Sequence, residues 1–139
     1  MMDTLPPATA GLPQRFADVE ALEDFMTAPS PALIADLQRA PGDVIVLGVA
    51  GKMGPTLARL AKRAAPGRRV VGVARFSDAR QKAALERHGL ETIACDLRDG
   101  TAVDALAADV LARHGAVDLL VNNAGAYRPG QIASEDDDA

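Results

Sequence analysis

Val44-Ile45-Val46-Leu47-Gly48-Val49-Ala50-Gly51-Lys52-Met53-Gly54-Pro55 is the stretch whose reading decides the fold. Its first four residues are apolar and mostly β-branched, as in a strand buried on both faces. Glycine follows at once, and Pro55 stands where a helix accepts proline in its first turn. Behind it Leu57, Leu60, Ala61 and Ala64 share one helical face. A strand, a glycine turn and a helix in that order make an anion holder. Glycines let the backbone turn sharply and approach a phosphate with no Cβ in the way. The free N–H groups of the new helix then face the anion, and the helix dipole favours it. Gly48-x-x-Gly51-x-x-Gly54 therefore reads as a grip on the pyrophosphate of a dinucleotide. The alternative is a glycine-rich loop without a ligand.

Downstream the same alternation repeats. Val70 to Val73 reads as a second strand, and Ser77 as the cap of a helix that stops at Gly89. Glu91 to Cys95 reads as a third strand. Thr101-x-x-Asp104 resembles a capping box, ahead of a helix carrying Val103, Leu106, Ala107, Val110 and Leu111 on one side. Gly115 ends that helix, and Val117 to Val121 reads as a fourth strand. Strands alternating with helices imply a parallel sheet with right-handed crossovers. The expected architecture is α/β, a Rossmann-type parallel sheet of four strands in order 3-2-1-4.

Upstream the chain is of another kind. Residues 1–16 contain Pro6, Pro7, Gly11 and Pro13 and read as a flexible arm. Residues 17–42 form an N-terminal helical extension. There Val19, Leu22, Phe25 and Met26 fall at helical spacing, and Ser30 and Pro31 open a second helix that Pro41-Gly42 closes. The sheet domain occupies 43–130, and 131–139 is an acidic tail expected to be disordered.

Composition narrows the partners. Aromatic residues make up only 3%, so the core is aliphatic and stacking platforms for single-stranded nucleic acid are lacking. A net charge of −4 without a long basic run speaks against nucleic acid and against anionic membrane. The longest apolar run, Val44 to Ala50, is too short to span a bilayer, and no secretory signal is visible. Cys95 is the only cysteine, which leaves no internal disulfide and no cysteine metal cluster. It reads as a buried apolar side chain in a cytoplasmic protein.

Four positions beyond the turn can carry chemistry. Arg75 lies 21 residues after Gly54, at the end of the second strand. A carboxylate near there suits the 2′-hydroxyl of NAD, whereas arginine suits a 2′-phosphate, so NADP is favoured. Arg75 otherwise reads as a solvated surface charge. Ser77 can add a hydroxyl to that phosphate, or simply cap its helix. Asp96 ends the third strand, where it can accept from an adenine amino group or cap the next loop. Asn122-Asn123-Ala124-Gly125 ends the fourth strand, beside the glycine turn, with small residues that leave room for a cofactor. His88 and His114 read as favourable charges at helix C-termini rather than as catalysts.

Gly48-x-x-Gly51-x-x-Gly54, Cys95-Asp96-Leu97-Arg98-Asp99 and Val117-Asp118-Leu119-Leu120-Val121-Asn122-Asn123-Ala124-Gly125 resemble the short-chain dehydrogenase/reductase superfamily over residues 43–130. The resemblance implies NAD(P)-linked oxidoreduction, or epimerisation of sugar nucleotides. It places Gly48, Gly51 and Gly54, with the amides of Lys52 and Met53, on the pyrophosphate. Asp96 and Leu97 would flank adenine, and Asn122, Ala124 and Gly125 would line the cofactor cleft. The glycine spacing is that of the extended, epimerase-like subclass, while Asn-Asn-Ala-Gly is that of standard-length reductases.

The family's catalytic tyrosine and lysine, four residues apart, have no counterpart. The one tyrosine is Tyr127, with Gln131 four residues on, and the lysines Lys52, Lys62 and Lys82 all lie upstream. No catalytic residue is therefore assigned. The chain is expected to bind dinucleotide without turnover. Other readings are an NADP-sensing or partner-binding module, a truncated or fused product, and a methyltransferase, against which Arg75 argues. The strand at 117–121 would be an apolar edge open to a second copy or a partner strand. The helices of 17–40 are expected to help cover the sheet face that carries the helix of 101–114.

Overall fold

The computed structural model describes residues 12–125. Four strands, β1 (Val44–Leu47), β2 (Val70–Ala74), β3 (Glu91–Ala94) and β4 (Leu119–Asn122), form one parallel sheet in order β3-β2-β1-β4. This is the expected order. The register pairs Val44 with Val70 and with Leu119, which brings the C-terminal ends of β1, β2 and β4 level. The fourth strand begins at Leu119 rather than Val117.

β1 and β2 are apolar throughout because both of their faces are covered. Val44, Val46 and Val70 pack against α3 (Gly54–Ala64) and α4 (Ala79–Arg87) in one cluster. Ile45, Val71 and Val73 pack beneath α5 (Gly100–His114) in another, with Cys95 buried among them as expected. Each fully buried valine contributes roughly 1.5–3 kcal/mol relative to exposure.

Two helix starts differ from expectation. The cap of α4 is Asp78, whose carboxylate accepts from the Arg80 amide at 2.9 Å, so Ser77 lies outside the helix. The cap of α5 is Asp99, which accepts from the amides of Thr101 and Ala102 at 3.0 and 3.3 Å. Thr101 is thus already helical. In both places an aspartate with extended backbone stands within two residues of the expected cap, and its short carboxylate meets the free amides.

α1 (Val19–Met26) and α2 (Pro31–Arg39) form as expected, capped by Asp18 and Ser30. They dock on α3, which lies on the opposite side of the sheet from α5. The expectation that they cover the α5 face is therefore corrected. So is the face they use, because Phe25 and Met26 remain 45% and 49% exposed. Glu20, Glu23, Asp24 and Thr27 face α3 instead. Arg59, with its side chain only 11% exposed, pairs with Asp24 and with Glu20. Thr56 Oγ1 donates to Glu23 at 3.0 Å, and Arg63 donates to Thr27 Oγ1 at 2.6 Å. Arg68 donates to the carbonyls of Leu37 and Ala40, which closes the C-terminus of α2.

At the other end of the sheet, the His114 imidazole is fully buried and its Nδ1 meets the Asp43 carboxylate. It straps the end of α5 to the start of β1 rather than standing as a free terminal charge. The exposed His88 is the residue after α4. No helix among the described residues is long and apolar enough to cross a membrane.

Candidate functional site

The site lies where the strands end. Leu47 runs into Gly48, which takes a left-handed backbone (φ 75°). A Cβ at Gly48 would lie 2.5 Å from Ala124 Cα, so the turn after β1 and the segment after β4 touch backbone to backbone. The Gly48 and Val49 amides donate to Val73 O at 2.8 and 3.1 Å, which ties the turn to β2. Val49 is fully buried beneath it.

The rest of the turn is held from three directions. Gly51 N donates to Gly48 O at 3.0 Å. Asn123 Nδ2 donates to the same carbonyl at 3.0 Å, from the end of β4. Gln81 Nε2 donates to Ala50 O at 2.8 Å, from the first turn of α4. Lys52 and Met53 are exposed at the head of α3. Gly54 is buried, and a Cβ there would strike the carbonyl of Val49. α1, α2, α4 and α5 each have a side-chain cap at the N-terminus, whereas Met53 gives α3 none. The first amides of α3 therefore have no side-chain acceptor, as suits an anion.

These segments wall a cavity of about 710 Å³ lined by residues after all four strands. Gly48, Gly51, Arg75 and Ser77 all line it, whereas Lys52, Met53 and Gly54 stand outside its lining. Phe76, between Arg75 and Ser77, has a left-handed backbone (φ 51°), with its ring packed against the core. Both neighbours are exposed. Asp96 and Leu97 line one wall, and Ala124 and Gly125 the other. Of the two asparagines, Asn123 lines the cavity, while Asn122 is the exposed last residue of β4. Tyr127 and Gln131 lie outside the described residues, as does the acidic tail.

Asp96 caps the loop after β3 and lines the cavity. It accepts from the Arg98 amide at 3.1 Å. The Arg98 guanidinium meets its two oxygens at 3.1 and 2.8 Å. The Arg98 side chain first, then the Arg98 amide, holds the Asp96 carboxyl well below the usual carboxylate range. The same pairing raises the pKa of Arg98.

Phe76, Asp78, Gln81 and Arg98 belong to the site without having been singled out from the sequence, and within Asn122-Asn123-Ala124-Gly125 it is Asn123 that ties the end of β4 to the glycine turn. Asp96-x-Arg98 has a local signature, an aspartate accepting from the amide two residues on. Gln81 has none, because only the fold brings α4 to the glycine turn. Among the described residues no group of three or more His, Cys, Asp or Glu side chains could hold a metal ion.

A doubly wound parallel sheet, with a glycine turn and a bare helix start beyond its strand ends, defines a nucleotide-binding α/β protein. The family model for short chain dehydrogenase matches residues 43–139, and the chain belongs to that family. A fatty acyl-CoA reductase from Acinetobacter baylyi is 36% identical over 85 residues, covering 58% of this chain and 28% of that protein. A metagenomic short-chain oxidoreductase solved in complex with NADP is 36% identical, with a TM-score of 0.54 over 70% of this chain and 45% of its own. An actinorhodin polyketide ketoreductase variant solved with NADPH is 32% identical, with a TM-score of 0.55 over 71% and 39%. The chain thus spans less than half the length of each of these relatives.

Proposed function

We propose that residues 43–130 bind NADP in preference to NAD, as the cofactor-binding half of a short-chain dehydrogenase. The observation that carries this reading is the glycine turn, whose Gly48, Ala50 and Gly51 line one cavity with Arg75 and Ser77 and lead into the uncapped start of α3. The amides of Lys52 and Met53, with Gly48, Gly51 and Gly54 giving close approach, would take the pyrophosphate. Arg75, with Ser77 beside it, would take the 2′-phosphate. That position lacks the carboxylate that a 2′-hydroxyl calls for. Asp96 and Leu97 would flank adenine, and Asn123, Ala124 and Gly125 would border the remainder, with Asn122 outside the cavity. Two related structures hold NADP or NADPH, which supports the same ligand here.

When bound, NADPH supplies a hydride for a carbonyl, and NADP accepts one from an alcohol. The described residues of this chain bind and orient that cofactor and hold its phosphates. None of them stands as the family's acid–base pair. This chain is read as a binder without turnover, because its one tyrosine, Tyr127, has Gln131 rather than lysine four residues on. The family activity of a protein carrying such a domain is oxidoreduction. The glycine spacing favours epimerisation as a second reaction class for that protein. An NADP-responsive partner-binding module is favoured by the exposed Leu120 at the edge of β4. The free, buried thiol of Cys95 suits a reducing compartment such as the cytoplasm.

Isothermal titration with NADP, NADPH, NAD and S-adenosylmethionine tests the reading. NADP should bind more tightly than NAD. Arg75→Glu should weaken NADP by about 10- to 100-fold, the scale of one charge-assisted contact. Folded protein that binds none of the four would overturn the reading. Hydride transfer in a reductase assay would overturn the claim that this chain does not turn over.

A further inference from the structure

We infer that Gln81 is a positioning residue for the pyrophosphate turn, acting through the Ala50 carbonyl. The inference rests on the NADP reading and adds to it a part that the glycines cannot supply. Between Gly48 and Gly54 the backbone must present amides to an anion and keep its carbonyls turned away. A single peptide flip at 50–51 would exchange an N–H for a carbonyl oxygen and repel a phosphate. Glycine at 51 leaves that flip sterically open. Side chains must therefore hold the carbonyls.

Two of them are held. Gly48 O accepts from Asn123 Nδ2 at 3.0 Å and from Gly51 N at 3.0 Å. Ala50 O accepts from Gln81 Nε2 at 2.8 Å in a part-buried bond. Gln81 lies three residues beyond Asp78, in the first turn of a helix that Asp78 caps. The donor is thus anchored in a rigid element. The same segment carries Arg75 and Ser77, so Gln81 joins the pyrophosphate end of the cavity to its 2′-phosphate end. It also lines a smaller cavity of about 170 Å³ beside α1, shared with Glu20 and Glu23. The Gln81 side chain thus stands between two cavities, and the hydrogen bond to Ala50 O is what orients its amide.

Two ligands separate positioning from general damage. NADP has both a pyrophosphate and a 2′-phosphate, whereas 2′-AMP has only the second. Gln81→Met keeps the length of the side chain and removes the donor. Gln81→Glu keeps its shape and sets a carboxylate against the carbonyl. Titration should show NADP weakened about 3- to 10-fold by Gln81→Met, one neutral hydrogen bond's worth, and further by Gln81→Glu. Binding of 2′-AMP to Gln81→Met should stay within about twofold of wild type, since no new charge faces it. The thermal melts should report folded protein in both. Equal losses for NADP and 2′-AMP in Gln81→Met, or no loss for either, would overturn the role of Gln81. Wild-type protein that binds neither ligand would instead remove the NADP reading beneath it.

Discussion

A methyl group at Gly48 would meet the Ala124 backbone, and the backbone there is left-handed at φ 75°. Neither conflict can relax through a side-chain rotation. Gly48→Ala should cost about 1–3 kcal/mol of stability, read by urea unfolding, and should abolish NADP binding by moving the turn off Ala124. Retained affinity would contradict that contact. A second position reports on charge. The Arg98 side chain is the larger cause of the lowered pKa of Asp96, and the Arg98 amide the smaller. A lowered carboxyl stabilises the folded chain above the ordinary carboxylate range, near 3.9. That contribution fades as pH falls through the lowered value. Arg98→Ala should therefore move the Asp96 midpoint upward, still below the ordinary value, as followed by carboxyl NMR. Asp96, already ionised, should add no pH dependence to NADP affinity between about pH 6 and 8, whereas affinity should rise as the 2′-phosphate facing Arg75 loses its second proton at about pH 6. An unmoved midpoint would show that Arg98 does not hold the carboxylate. Gly48 and Arg75 were legible because spacing along the chain fixes them. Asp78 and Asp99 were missed as caps because their neighbours Ser77 and Thr101 are equally good cap residues. Backbone angles, which composition does not state, decided between them.

α1 presents two stripes, and the polar one faces the protein. Arg59 on α3 is largely buried and draws on Asp24 and Glu20, both far more exposed than it is. Removing the acids strands a buried guanidinium, whereas removing the arginine frees two solvated carboxylates. The double change Glu20→Ala with Asp24→Ala should therefore cost more, about 2–4 kcal/mol. Arg59→Met should cost about 1 kcal/mol. Chemical denaturation of the two variants gives the order, and the reverse order would refute this account of the docking. The same asymmetry explains what the sequence could and could not disclose at this scale. β1 was legible to the residue and β2 to within one, Ala74 being its last residue, because burial on two faces leaves an unbroken apolar run. The helices of the extension were legible from Asp18, Ser30 and Pro31. Their seat was not. The apolar spacing of Val19, Leu22, Phe25 and Met26 suggested a buried face, and only the fold brings Arg59 and Arg63 to Glu20, Asp24 and Thr27. Gln81 was illegible for the same reason, since its partner carbonyl is 31 residues away in the chain.

The two faces of the sheet are unequally covered, and this shapes how the whole chain should behave in solution. α3 and α4 fill one face, while α5 is the one helix over the other among the described residues. Leu119 and Val121 turn to the filled face and are half-buried. Leu120 between them turns the other way and is 50% exposed, and Leu111 of α5 and Val117 are exposed as well. β4 also pairs with β1 alone among the described strands, so its outer backbone groups face outward. An apolar edge strand with unpaired amides and carbonyls is a template for another strand. The 139-residue chain should therefore self-associate as its concentration rises, as followed by sedimentation velocity. Leu120→Lys places a charge on that edge, the usual way for an edge strand to resist pairing. It should return the protein to monomer while changing stability by no more than about 0.5 kcal/mol, since the side chain is already half in water. NADP affinity should be unaltered, because Leu120 lies three residues before Asn123, where the cavity wall begins. Wild-type protein that stays monomeric at high concentration would show that the edge is closed by some other means. An associated wild type unaffected by Leu120→Lys would move the contact away from β4, towards the exposed Phe25 and Met26 of α1.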